Sequence, residues 1–361
     1  MTSTQAGERV RTLRLLLGLT QTELASAIPF SQSLLSQVES GVKVASEEFV
    51  ASVASATGTP TSFFDVDPPN VPEGTLRWRK LAGARRSDSN RLELLVQEAW
   101  RIASDLMSTA NLTPPQLPVV TTHIDATDIE ELATMTRDAL GLGADGPIPH
   151  VTRVLERAHI GVAPLVLPES TATTEVDEAK NIGHFGASLW PTTDDQAFIG
   201  YFPAQQGDRQ RFTLAHELGH LVLHTKRRQV RNAEAEAHLF AGAFLFPRER
   251  AMEAFSVPPT LSDLGHLKAR WGVSMQAQIM RAAGLGLIDD HRKTSLFKQL
   301  SARGWRQKEP VDVQVEYPAL LKLLARRAYG NRPVAQVARE LGLPPLVLRG
   351  LMPTDSSQKA G

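Results

Sequence analysis

The sequence predicts an α+β chain that is mostly helical. It has an N-terminal helix-turn-helix of five short helices, a middle domain with a small sheet, and a helical C-terminal region. Three observations carry this. Apolar residues recur at helical spacing through most of the chain. Only two runs read as strands, IGVAPLVLP (160–168) and QAFIGYF (196–202). The stretch DVDPPNVPEG (65–74) is proline-rich and breaks helix, so a domain boundary falls there. The expected units are 1–65, a linker over 66–90, a domain over 91–290 and a helical region over 291–361.

Composition narrows the chemistry. The 361 residues allow two or three domains, and 42% hydrophobic with 22% charged residues is a globular profile. There is no cysteine, which excludes disulfides, thiolate metal sites, iron–sulfur clusters and cysteine nucleophiles. Any metal must sit on His, Asp or Glu. The first residues hold no long apolar run and no stretch reaches a membrane span, so the expectation is a cytoplasmic protein without a membrane partner. A net charge of zero does not announce a nucleic-acid partner.

The first helix places Val10, Leu13, Leu16 and Leu17 on one stripe. Thr20 with Glu23 three residues on is a capping-box pattern for the second, whose apolar face is Leu24, Ala25 and Ile28. Pro29-Phe30-Ser31 turns the chain into a third helix that ends at Gly41. Its Leu34, Leu35 and Val38 face inward, while Gln32, Ser33, Ser36 and Gln37 face out. Phe49, Val50 and Val53 mark a fourth helix, and Phe63-Phe64 a closing piece. A short helix that presents amides and hydroxyls suits the major groove of double-stranded DNA.

The stretch GLTQTELASAIPFSQSLLSQVESG (18–41) resembles the XRE/Cro-type helix-turn-helix family, and the resemblance covers residues 8–65. It implies that Gln21 contacts phosphate, that Gln32, Ser33 and Gln37 read bases with Ser36 beside them, and that Glu39 is structural. Residues 1–65 carry four Lys/Arg against six Asp/Glu, a net −2, which is weak for phosphate binding by one copy. A homodimer on a two-fold operator is therefore expected. The run LRWRKLAGARR (76–86) adds five basic residues, as a phosphate contact or a solvated face.

Beyond the linker, residues 89–110 read as a long amphipathic helix marked by Leu92, Leu95, Val96, Trp100, Ile102 and Leu106, and 127–141 and 148–158 as further helices. The most informative stretch is RQRFTLAHELGHLVLH (209–224). His216 and His220 are four apart, so on a helix they share a face and can reach one cation. Glu217 sits at the flank, placed to take a proton from a water held by that cation, as in a zinc hydrolase. His224 lies about 12 Å from His216 along the axis. Zinc–nitrogen bonds are about 2 Å, so His224 is a supporting or surface residue. In the next helix, AEAEAHLFAGAFLFP, Asn232 is a candidate cap and Ala237, Phe240, Ala241, Phe244 and Leu245 form the apolar face. Glu234 lies about 60° from the centre of that face and Glu236 about 100° on the other side. An antiparallel pair brings Glu234 to the depth of His220, with Glu236 as the alternative ligand.

RFTLAHELGHLVLH followed by EAEAHLFAGAFLFP resembles the ImmA/IrrE metallopeptidases, in general order over residues 75–285 and strongly over 196–247. The resemblance implies zinc on His216, His220 and Glu234, with Glu217 as catalytic base. One departure is His238, where the family usually has Asn or Asp. It suggests a supporting role or an extra ligand.

In the last third, 261–288 reads as two helices with a turn at Gly272, capped by Thr260 or Ser262. SLFKQLSARGWRQKEP (295–310) is basic and aromatic, and 319–352 is helical with a repressor-like look. It suits a helical cap, a dimer element or a second DNA contact. The whole predicts a DNA-binding regulator with a zinc metallopeptidase-like domain that cleaves a repressor-type protein or the chain itself. The resemblance places such peptidases in stress responses and mobile elements. The alternatives are a non-proteolytic metal or ligand sensor, and a plain repressor of a toxin–antitoxin or phage immunity system.

Overall fold

The computed structural model describes residues 3–72, 75–78, 86–143, 145–166, 186–203, 206–227, 230–255 and 258–352. Four helices, α1 (Ser3–Leu16), α2 (Gln21–Ser26), α3 (Gln32–Glu39) and α4 (Glu47–Thr57), surround one small core that includes Val10, Leu13, Leu24, Leu35, Val38, Phe49 and Val53. The fifth element, Thr61–Phe64, is a 3-10 turn that drives Phe63 and Phe64 into the same core. Each boundary has a local cause. Thr20 and Glu23 form the reciprocal capping box of α2, and Ser31 caps α3. Gly41 takes φ 74° just past the α3 C-cap, a conformation that suits glycine. Leu16 departs from expectation: it belongs to a second core, shared with the following domain.

That domain is built on a four-stranded sheet of β1 (Arg77–Trp78), β2 (Ile160–Pro164), β3 (Gly186–Leu189) and β4 (Ala197–Tyr201), in the order β1-β3-β4-β2. β2 and β4 are parallel, and the other two pairs are antiparallel. The two anticipated strands are present. β1 and β3 were not anticipated, because each is too short to show a period of two. β1 lies inside the span read as linker, as does the start of α5 (Arg86–Thr109). The basic run over 76–86 falls mostly outside the described residues, at 79–85.

Strand alternation divides the sheet between two cores. Ile199 and Tyr201 join the core that includes Leu214, Leu218 and Leu221 of α8 (Gly207–His224). Phe198, Ala187 and Leu189 join the core of α5, with Leu95, Val96 and Ile102. Gly186 and Ser188 therefore fall on the α8 side. Helices α6 (Ala126–Ala139) and α7 (Val151–Arg157) pack on the α8 side with α9 (Ala233–Leu245). Then come α10 (Arg248–Ala254), α11 (Leu261–Trp271), α12 (Met275–Gly284) and α13 (Asp290–Ala302). Thr260 caps α11 with Asp263, and Gly272 turns the chain at φ 65°. The pair α11–α12 buries Trp271, Met275 and Ile279, which is packing.

The C-terminal helices α14 (Leu320–Tyr329), α15 (Val334–Glu340) and α16 (Pro345–Leu351) close the α5 core with Leu324, Ala338 and Val347. Within the chain they cover that face of α5. The helix-turn-helix is fastened to this body. Arg9 of α1 is fully buried, pairs with Glu98 of α5, and donates to the Phe63 carbonyl at 3.0 Å. Arg91 donates to the Leu16 carbonyl at 2.8 Å, and the Ser62 hydroxyl donates to the Arg339 carbonyl.

Candidate metal centre

Helix α8 is buried along almost its whole length, including every histidine in it. Its start is held by Asp208 on Lys268 at 2.8 Å and by Arg211 on Glu316 at 2.6 Å. Helix α9 returns against it, and the crossing is close because position 219 is glycine. A Cβ there would sit 3.0 Å from the Phe240 ring and 3.3 Å from Ala237. That approach carries Glu234 to the two histidines. His216 Nε2 and His220 Nε2 are 3.2 Å apart. Each is 3.4 Å from a carboxylate oxygen of Glu234, Oε2 for His216 and Oε1 for His220. The two imidazoles beside it hold the Glu234 carboxyl well below the usual carboxylate range.

These spacings test whether the residues fit a metal. Ligand atoms about 2.0–2.1 Å from a tetrahedral zinc are roughly 3.3 Å from one another. The three measured separations match one face of that tetrahedron. Among the described residues, His216, His220 and Glu234 are the one group of three with donors gathered this tightly.

Glu217 is 3% exposed and faces β3. Gly186 makes room for it: a Cβ there would lie 2.6 Å from the Glu217 carboxylate oxygen. Its other oxygen, Oε2, is buried without a hydrogen-bond partner. Burial pushes the Glu217 carboxyl well above the usual range, and the Glu234 charge adds to this. The neighbouring Ser188 hydroxyl works against this rise, although its geometry falls short of a formed hydrogen bond.

His224 is 1% exposed, so the surface option is excluded. Its Nδ1 lies 2.9 Å from His220 Nδ1, and its Nε2 lies 3.1 Å from Glu236. Arg227 donates to Glu236 at 2.8 Å. Burial raises the Glu236 carboxyl, but Arg227 and His224 outweigh it and hold it low. Glu236 thus anchors His224, which steadies His220, and it is not placed as a third ligand. His238 packs on Phe212 with ring centroids 4.8 Å apart and stands 6.4 Å from the His216 ring, outside the trio. Asn232 takes the N-cap position of α9, but its side chain makes no capping bond. Sequence reasoning missed Gly186, Ser188 and Arg227. None had a periodic or motif signal.

On the helix-turn-helix, Gln32 and Ser33 are exposed, and Ser36 and Gln37 are half-buried on α3. Glu39 is buried and takes two bonds from Arg14, at 2.6 and 2.8 Å, which makes it structural. Gln21 donates to Glu39 and accepts from Gln32, both at 2.8 Å.

The helix-turn-helix domain family matches residues 5–62, and the IrrE N-terminal-like domain family of M78 peptidases matches residues 178–282. The chain fuses a helix-turn-helix domain to an IrrE-like domain. A search of curated proteins finds no match. The IrrE-like match spans β3, β4, α8 and α9, which hold the whole trio, Glu217 and its glycine cradle. Among the described residues, no helix is long and apolar enough to cross a membrane.

Proposed function

We propose that this DNA-binding regulator cleaves a protein partner of the repressor type at a zinc centre in its IrrE-like domain. The spacing of His216, His220 and Glu234, with the orphaned Glu217 oxygen beside it, carries the reading. A zinc ion held by the trio supplies Lewis acidity toward a peptide carbonyl and a water. Glu217 does the proton work. Its Oε2 is an acceptor without a donor, and burial raises the proton affinity of the carboxylate above that of an ordinary glutamate. The carboxyl takes a proton from the attacking water and returns it to the departing amine. Gly186 and α8 hold that carboxylate in place, and Glu236 with His224 fixes the direction of His220.

The test is Glu217→Gln in the full chain. Zinc near one per chain should persist, and cleavage of a candidate repressor should fall by about 10²–10⁴-fold. Full cleavage by that variant sinks the reading.

A second reading is that metal occupancy tunes DNA affinity without turnover. The buried Arg9–Glu98 pair favours it, because it joins α1 rigidly to the helix that backs the sheet. Under it, His216→Ala changes operator affinity while Glu217→Gln behaves as wild type.

DNA binding itself is proposed through α3 as a homodimer. Two of the four basic residues in the first 65, Arg9 and Arg14, are buried in ion pairs, which leaves little charge for one copy to bind phosphate. Gln32→Ala with Gln37→Ala should relax operator choice, and an unchanged footprint would reject α3 as the reading helix.

A further inference from the structure

We infer that residues 75–78 hold, in cis, the strand position that an extended peptide would take beside the metal centre. The interdomain segment then blocks the site it adjoins. β1 pairs antiparallel with β3, with Arg77 opposite Ser188 and Trp78 opposite Ala187. It is the edge strand of the sheet, so without it β3 would present unpaired backbone groups to solvent. β3 is also the strand against which Glu217 packs, at Gly186. The register runs from Ser188 toward Ala187, so the segment advances toward that glycine.

Thr75 gives an independent mark. It is 8% exposed, and its buried hydroxyl has no hydrogen-bond partner. It lines a cavity about the size of one water, about 10 Å³, together with Ser188, His220 and His224. The interdomain segment therefore reaches both Ser188 of the β3 edge and His220 of the trio. Val71 and Leu76 anchor it on the α5 core. A two-residue strand beside a proline-rich stretch is a weak hold and opens easily. Main-chain pairing reads little sequence, so the class of competitor is an extended peptide segment laid along β3. The consequence for cleavage rests on the hydrolase reading; the docking does not.

The experiment uses zinc-loaded full-length chain and a fluorescein-labelled peptide of residues 71–82, VPEGTLRWRKLA. Arg77→Pro with Trp78→Pro removes both strand amides. That variant should bind the peptide at least tenfold tighter than wild type by anisotropy, and hydrogen exchange in β3 should rise and then fall again with peptide. Equal binding, or unchanged β3 exchange, overturns the inference. Trp78→Cys with Ala187→Cys covers the case in which the proline variant misfolds. The chain has no cysteine of its own, so mild oxidation should cross-link these partners, and the locked chain should ignore the peptide. Failure to cross-link also overturns it. These readouts stay the same in a Glu217→Gln background. A dead centre with intact docking rejects the hydrolase alone, and cleavage without docking rejects the strand alone.

Discussion

Glu217 concentrates the physical tension of the site. A carboxylate with little water around it is costly, and its own fold raises its proton affinity. The raised folded pKa fixes the sign of a pH effect. The stability that Glu217 contributes in metal-free protein is full below its unfolded value near 4.5 and is lost as pH rises toward its folded value. Glu217→Gln keeps the shape and removes the charge. Metal-free Glu217→Gln should therefore melt above wild type at about pH 8, and the gap should close by about pH 4.5. Thermal melts after chelation read this, and a gap independent of pH contradicts the burial account. The pair of histidines was legible from spacing alone, since four residues on a helix bring side chains to one face. The choice of Glu234 over Glu236 was legible only as a preference on a helical wheel. Contacts settle its placement: Glu234 meets His216 and His220, while Glu236 meets His224 and Arg227.

At the scale of elements, the site is a helix pair backed by a strand. The α8–α9 crossing sets the reach of Glu234, and it depends on Gly219 against Ala237 and Phe240. The Arg227–Glu236–His224 relay then limits how His220 can turn. Glu236→Ala leaves Glu234 in place but frees His224, and metal affinity should fall about 10–100-fold in a chelator competition. Retained affinity would show that His224 needs no anchor. The helices themselves were plain in the sequence. Caps such as Thr20 and Thr260 and the stop at Gly272 act within a few residues, so local chemistry announces them. β3 gave no such signal. Gly-Ala-Ser-Leu has little strand preference, and its place depends on pairing with β4.

Over the whole molecule, distant segments are fastened by buried charge. Lys268 of α11 donates to Asp208 of α8 and to Glu309, each at 2.8 Å, and all three are buried. Lys268→Met leaves two carboxylates facing each other without a cation, which should cost about 3–5 kcal/mol. Urea melts read the loss, and adding Asp208→Asn should recover part of it by the same measure. Arg9 and Arg101 share Glu98 in a similar way, joining α1, α5 and the carbonyls of Leu341 and Gly342.

The sequence by itself determined most of the helices, caps such as Thr20 and Thr260, and the histidine–glutamate signature, because each is written within one or two turns of chain. Only the tertiary structure decided which acid joins the histidines, that Gly186 makes room for Glu217, and that the expected linker is a strand in the sheet. Those depend on backbones meeting from positions tens of residues apart, where spacing along the chain carries no information about distance in space.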